Sequence, residues 1–165
     1  MRRLDPFSPA ERSAIMRRVL SSDTTPELVV RSALHSLGFR FRLHRTDLQG
    51  KPDIVLPKHR VAVFVHGCFW HRHHNCKRTT MPVANRDYWL RKFRRTAARD
   101  TQVRASLRAD GWTPIVIWEC ETKDLVRLRR RLAILIQRVS GSETAPSRTR
   151  GQIPTLDVKR ARRLR

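Results

Sequence analysis

Three cysteines and a group of histidines offer a set of metal ligands near the centre of the 165-residue chain. The residues are Cys68, His71, His73, His74 and Cys76, with Cys120 at the end of a later apolar segment. Zinc prefers four tetrahedral ligands, usually Cys thiolates and His imidazoles. The pattern therefore predicts a Cys3His zinc site completed by one of the three histidines. The alternative is that the cysteines are ordinary buried side chains, which fits a polar, His-rich loop poorly.

An acidic residue at the start of a buried strand is the second candidate for chemistry. Asp53 directly precedes the apolar run Ile54-Val55-Leu56, and a second run, Val61–Val65, follows after a tight turn. In restriction-type nucleases, an acid that faces the end of the next strand across such a hairpin holds a hard cation. Carboxylate oxygen suits Mg2+, which acidifies water and neutralises phosphate charge. The alternative is that Pro52-Asp53 only initiates the strand.

Histidines and an aromatic pair surround these positions. His66 and His71 can exchange protons with water or a leaving oxygen near neutral pH, although zinc ligation and phosphate contact are alternatives for some of the histidines. Between them lie Phe69 and Trp70. Exposed aromatic side chains in a DNA-binding protein can wedge between base steps. The alternative is that the pair packs back onto the zinc-binding loop.

The elements that position these residues follow from periodicity and turn signals. Thr25 as N-cap, Pro26 at the first helical position and Glu27 in the first turn predict a helix that ends at Gly38. The other predicted helices span 8–20, 85–109 and 125–136, and the predicted strands span 39–44, 54–56, 61–65 and 115–118. This order predicts an α/β sandwich around a mixed sheet. If the strands 61–65 and 115–118 are parallel neighbours, Cys68 and Cys120 meet at one edge.

The composition indicates a polyanionic partner. Lys and Arg number 36 against 14 Asp and Glu, which gives a formal net charge of +22. Nucleic acid is the first candidate because neutralised phosphates release counterions, whereas an acidic membrane surface requires a basic helix with a bulky apolar face. No apolar run approaches the roughly 18 to 20 residues of a membrane span. Three cysteines cannot all pair in one chain, so we expect the reducing cytoplasm, in association with the nucleoid.

Five stretches of the sequence together resemble the very-short-patch repair (Vsr) endonucleases. They are Lys51–Val55, Val63–His73, Tyr88-Trp89, Arg99-Asp100 and Gly111–Cys120, and the resemblance is collinear from about Arg12 to Cys120. It implies a restriction-endonuclease-like three-layer sandwich with a mixed central sheet and a structural zinc. It also implies a monomer that uses Mg2+ to nick duplex DNA 5′ to the thymine of a T:G mismatch, the product of 5-methylcytosine deamination.

The resemblance also implies roles for individual residues. The catalytic positions are Asp53, His71, His66 and Glu27, and Mg2+ would be held by Asp53 and the backbone carbonyl of Val65, where some members have threonine. The zinc ligands are Cys68, His73, Cys76 and Cys120, with His74 as the alternative to His73. The intercalating residues are Phe69, Trp70 and Met16. Residues 1–139 would form the endonuclease domain, beginning with a DNA-contacting segment over 1–22, and 140–165 a flexible basic tail.

Two other functions remain possible at the level of sequence. One is a zinc-containing module that binds mismatched or bent DNA without cutting it. The other is a restriction endonuclease that cuts unmodified DNA at its own recognition site. A binding module has no need for Asp53 and His71 together, so their presence favours an active nuclease.

Overall fold

The computed structural model describes residues 22–142 together with Ser8, Glu11 and Ala14. The strands are β1 (Arg42–Leu43), β2 (Ile54–Leu56), β3 (Val61–His66) and β4 (Thr113–Trp118). The helices are α1 (Thr25–Ser36), α2 (Arg86–Ala109) and α3 (Leu125–Ser142), and short 3-10 turns span Pro57–His59 and Glu119–Lys123. Over residues 22–142, the predicted order of helices and strands is confirmed.

The four strands form one mixed sheet in the order β1-β2-β3-β4. The pairs β1–β2 and β2–β3 are antiparallel, while β3 and β4 are parallel, with Val65 opposite Ile117 and His66 opposite Trp118. Parallel pairing of β3 and β4 places the residues that follow both strands at the same edge. This is the arrangement that the zinc prediction required.

The sheet is covered on both faces, which explains its continuous apolar runs. On one face α1 and α3 contribute Val30, Leu34, Leu128, Leu132 and Ile136, which pack against alternate strand residues such as Val61, Val63, Ile115 and Ile117. On the other face Ala62 and Phe64 pack with Leu107 and Val103 of α2. The described chain therefore has three layers, with the sheet between α1/α3 and α2.

Several element boundaries differ from the sequence-based expectations. The N-cap of α1 is Thr24 rather than Thr25, and Gly38 adopts a left-handed conformation just beyond the helix end, as predicted. The first strand shrinks from the predicted 39–44 to Arg42–Leu43, because only these two residues pair with β2, itself three residues long. Phe39 and Phe41 instead pack against the core without strand pairing.

The two ends of the chain are only partly described. Helix α3 continues to Ser142, so the first residues of the segment assigned to the tail are helical. The remainder of the tail, most of the predicted helix over 8–20, and Met16 lie outside the described residues. None of the helices in the described part combines the length and hydropathy needed to span a membrane.

Candidate active site and metal centre

A cavity of about 740 Å3 opens between the carboxyl-terminal end of β3, the start of α1 and one side of α2. Its lining includes Glu27, Asp53, Val65, His66 and His71. These are the five residues that the sequence assigned to catalysis and Mg2+ binding. They come from separate segments of the chain, so only the fold brings them to one cavity.

Asp53, the residue before β2, is held in place by a hydrogen bond from the backbone of β3. The N–H of Val65 donates to Asp53 Oδ2 over 2.7 Å, so the acid does face the end of the next strand. Burial raises the pKa of Asp53 to about 6, and the nearby Glu27 carboxylate adds to this, whereas the Val65 N–H acts in the opposite direction. The loop before Asp53 lies close to α2 because residue 50 is glycine, where an added Cβ would collide with Val103.

The two histidines form a stacked pair beside an acid from α2. A tight turn, closed by the hydrogen bond from the His71 N–H to the Gly67 carbonyl, returns the chain over β3. The His66 and His71 rings consequently stack, with centroids 3.7 Å apart and planes at 14°. His71 Nδ1 lies 2.6 Å from Asp100 Oδ2. Burial, together with the neighbouring His71, lowers the pKa of His66 to about 4, so His66 is neutral at neutral pH.

Asp100 is the functional candidate that residue-type reasoning missed. The sequence analysis used it only as part of a motif, because it lies 29 positions after His71 within a long, arginine-rich helix. Its pairing with His71 assigns the proton of that imidazole to Nδ1 and leaves the lone pair on Nε2. The motif Arg99-Asp100 was therefore the available signal, but its partner depended on how α2 packs.

Glu27 is buried and closes the first turn of α1. Its carboxylate accepts hydrogen bonds from the Asp23 N–H at 2.9 Å, the Thr24 hydroxyl at 2.8 Å and Arg31 Nη2 at 3.1 Å. Arg31 also pairs with Asp23 at 2.6 Å and lies 3.1 Å from His44 Nε2. Although Asp23, Glu27 and His44 approach one another as metal ligands would, the Arg31 guanidinium already contacts all three.

The predicted zinc ligands meet at the neighbouring position of the same sheet edge. Single donor atoms of Cys68, His73, Cys76 and Cys120 all lie within 4.8 Å of one another. His73 Nδ1 is 3.3 Å from Cys120 Sγ, and its ring stacks on Trp118 at 4.3 Å. His74 is exposed and lies outside this cluster. The structure thus places His73 among the cysteines, while His71 turns to Asp100.

Local hydrogen bonds shape the loop that carries three of these ligands. The Thr79 hydroxyl donates to the carbonyls of Cys68 and His73, at 3.1 and 2.8 Å. The Cys68 N–H donates to Glu119 Oε2 at 3.4 Å, which links the loop to the residue after β4. The loop and the end of β4 are therefore joined by contacts of the protein itself.

Phe69 and Trp70 pack together with aromatic residues of α2. The Phe69 ring lies 5.0 Å from Trp70, 5.5 Å from Trp89 and 5.4 Å from Phe93, each in an edge-to-face arrangement. Both members of the pair are half-buried, and Trp70 also lines the cavity. Their partners are thus the side chains of α2, a contact that the sequence analysis did not include.

Comparisons with known proteins agree on one class. Residues 4–78 match the family model described as DNA mismatch endonuclease Vsr. The type II nicking enzyme V.XorIIP of Xanthomonas oryzae pv. oryzae is 50% identical over 128 residues, which cover 78% of this chain and 93% of that enzyme. V.NmeAIP of Neisseria meningitidis, another type II nicking enzyme, is 40% identical, with coverage of 82% and 96%. The DNA mismatch endonuclease Vsr of Escherichia coli is 35% identical, with coverage of 75% and 79%.

The fold, the cavity and these relatives define a DNA-nicking hydrolase. An acid beside a strand end, a histidine paired with a carboxylate and a strongly basic chain suit phosphodiester cleavage in DNA. More specifically, the chain belongs to the Vsr family of DNA mismatch endonucleases. The prediction of an enzyme is therefore confirmed, and the non-catalytic binding module is excluded.

Proposed function

We propose that this chain is a Mg2+-dependent endonuclease that nicks duplex DNA 5′ to the thymine of a T:G mismatch. In this role it initiates very-short-patch repair where 5-methylcytosine has been deaminated. The observation that carries the proposal is the single cavity that joins Asp53 to the stacked pair His66 and His71. The name of the E. coli relative, a mismatch endonuclease, supports the specificity.

The oxygen donors at the end of the hairpin fit Mg2+. In a paired strand the N–H and C=O of one residue point to the same side, and the Val65 N–H bonds Asp53. The Val65 carbonyl therefore lies on the Asp53 side of β3, where it and the carboxylate offer the hard ligands that Mg2+ prefers. When bound, Mg2+ would make a water molecule more acidic and would neutralise negative charge on the phosphate.

His71 is the proton acceptor in this proposal. Asp100 holds the proton on Nδ1, so Nε2 is free to take a proton from the attacking water. His66 stacks on the His71 ring and stays neutral, which avoids a second positive charge against it. Glu27, held by three donors, orders water at the start of α1.

The cysteine cluster is proposed as a structural zinc site. Three thiols and one imidazole are a donor set typical of zinc. Cys68, His73, Cys76 and Cys120 would fill all four tetrahedral positions, which leaves none for water and favours a structural role. The three-layer arrangement around the mixed sheet supports the assignment to the restriction-endonuclease-like fold. We further propose that the enzyme acts as a monomer.

Recognition of the mismatch is assigned to the aromatic pair. Phe69 and Trp70 are half-buried, and Trp70 lines the cavity. Phe69 packs on Trp89 and Phe93, and Trp70 packs on Trp89. A rigid aromatic base of this kind supports insertion of a ring between base pairs, which costs unstacking of the duplex. Met16, outside the described residues, is proposed to insert from the N-terminal segment.

A second candidate function comes from the names of other relatives. The enzymes from X. oryzae and N. meningitidis are called type II nicking enzymes. The alternative is therefore nicking of matched DNA at a fixed sequence, with no requirement for a mismatch.

One experiment separates the two functions. Single-turnover nicking is measured on matched, T:G and other mismatched duplexes with randomised flanking sequence, with Mg2+ or with EDTA. We expect nicks only with Mg2+ and only on the T:G pool, and sequencing of the cut strands then gives the preferred flanks. Equal cutting of matched duplexes at one sequence would instead establish the alternative. Asp53→Asn protein from the same purification controls for contaminating nucleases.

A further inference from the structure

The exposed face of α2 carries a groove beside the catalytic cavity. Its volume is about 350 Å3. We call it the arginine groove; it is lined by Tyr88, Arg91, Lys92, Arg95, Thr96 and Arg99. Four of these residues are cations and none is acidic. Arg99 lines the catalytic cavity as well, so the groove and the cavity adjoin at this residue.

The spacing of the arginines follows one side of the helix. Arg91, Arg95 and Arg99 recur every fourth residue, so at 1.5 Å per residue they span about 12 Å along the axis. Within the described chain none of the three guanidinium groups takes part in a hydrogen bond or an ion pair. Like charges four residues apart destabilise a helix. An anionic ligand that passes along the groove would relieve this repulsion.

Other arginines near the site are already engaged. Arg31 pairs with Glu27, Arg78 with Glu119, and Arg104 donates to the Asp100 carbonyl. These contacts are internal to the protein and leave less capacity for a ligand. The three groove arginines differ from these because, within the described residues, their side chains have no hydrogen-bond or ion-pair partner. The fourth groove cation, Lys92, lies over the Trp70 ring at 5.0 Å.

We propose that the arginine groove holds consecutive backbone phosphates of the DNA strand that is nicked, with Arg99 nearest the scissile phosphate. A guanidinium binds phosphate oxygens through paired N–H donors, and such contacts fix the register of the duplex without reading its sequence. The proposal rests on the endonuclease activity of the chain. It is independent of the T:G specificity.

The first test compares two double variants with the same loss of charge. Arg91→Gln/Arg95→Gln removes groove cations, whereas Arg94→Gln/Arg108→Gln removes two exposed cations of the same helix that do not line the groove. Binding of the full chain to a matched duplex is measured in EDTA across a salt series. The slope of log K against log[salt] falls by about 0.9 per lost phosphate contact. We expect a decrease of nearly two in magnitude for the groove variant and little change for the control.

The second test locates the contact on the DNA. Neutral methylphosphonates are placed one at a time along both strands of a duplex that the parent chain nicks at a single position, and binding is measured in EDTA. We expect the parent chain to lose affinity at adjacent positions of the nicked strand, and Arg95→Gln to become insensitive at one of them. An unchanged methylphosphonate profile, or equal salt slopes in the two double variants, would overturn the proposal. A parent chain that does not prefer T:G would overturn the proposed specificity alone, because the slope is read on matched DNA.

Discussion

The catalytic cavity and the cysteine cluster lie next to each other at one edge of the sheet, yet they differ in donor chemistry and in how closely their donors approach one another. His66 ends β3 on the cavity side of Gly67, and Cys68 begins the cluster on the other side. In the cavity, Asp53 is deprived of water and its pKa is raised, while oxygen and nitrogen donors come from distant segments. In the cluster, four soft donors converge within 4.8 Å. The comparison shows that the cavity gathers titratable groups around open space, whereas its neighbour is a compact set of metal-type donors.

The largest effect is expected from breaking the proposed zinc site. Cys120→Ser removes the thiol that would join the loop 67–79 to the end of β4 through the metal, and we expect it to lower the free energy of unfolding by about 5 kcal/mol or more. This estimate is below the roughly 10–16 kcal/mol of isolated zinc peptides, because the sheet has a core of its own. Metal analysis of the purified chain and denaturant unfolding measure the effect. Zinc retained at one equivalent in Cys120→Ser, with parental stability, would contradict the assignment.

Removing the catalytic side chains of the cavity should lower the rate of nicking but leave the fold intact. Asp53→Asn loses the carboxylate that would hold Mg2+, and His71→Ala loses the proton acceptor. Each should slow single-turnover nicking by roughly 100-fold or more while the chain stays folded and binds DNA. His74→Ala, which changes an exposed histidine outside both sites, is the matched control for the imidazole. Cutting by Asp53→Asn at the parental rate would place the reactive centre elsewhere.

The raised pKa of Asp53 predicts how the stability of the fold depends on pH. In the folded, Mg2+-free chain this pKa is about 6, against 3.8 for the unfolded reference. The folded state therefore holds the proton more tightly, and its stability decreases as pH rises from below 4 to above 6. At about 1.4 kcal/mol per unit, Asp53→Asn should gain up to about 3 kcal/mol over the parent at pH 7.5, and little at pH 3.5.

Denaturant unfolding of both proteins in Mg2+-free buffer without chelator, at the two pH values, measures this difference. Any loss of zinc at pH 3.5 affects both chains alike and cancels in the difference. The variant-minus-parent difference is needed because His66, whose pKa is lowered to about 4, changes the stability of both chains in the opposite direction with pH. An Asp53→Asn chain less stable than the parent at pH 7.5 would show that the carboxylate is not penalised by burial.

The aromatic pair, Phe69 and Trp70, is tested by its effect on DNA binding. Trp70→Ala should weaken binding to a T:G duplex by about 1–3 kcal/mol, the scale of one aromatic–base stack. Matched DNA should be affected less, since its base pairs resist insertion. Equilibrium titration on both duplexes in EDTA gives the two values. Equal losses on the two duplexes would assign Trp70 to packing with Trp89 rather than to recognition.

The smallest effect is expected from the C-terminal segment. Deletion of residues 143–165, which contain many arginines, should reduce the salt dependence of binding while the ratio of T:G to matched affinity is preserved. Binding across a salt series on the two duplexes tests this. A truncated chain that no longer distinguishes T:G from matched DNA would show that the segment contributes to recognition.

Short-range sequence patterns were sufficient to predict several helices and strands of this protein. The hairpin of β2 and β3, the extent of α2 and the stop of α1 at Gly38 follow from apolar runs, period and glycine, all of which act between near neighbours in sequence. The residue types likewise predicted that Cys68, Cys76 and Cys120 would group with one of three nearby histidines. The sequence motifs were sufficient to identify the family.

Tertiary packing decided the contacts that cross between elements. The pairing of His71 with Asp100, the base that Trp89 and Phe93 form under Phe69, and the shared position of Arg99 all depend on how α2 lies across the sheet. The choice of His73 over His74 depends on where the end of β4 brings Cys120. Periodicity fixes which side of a helix is buried, but not which residues of another segment it meets. Those partners are set by the parallel pairing of β3 and β4 and by close packing on the two faces of the sheet.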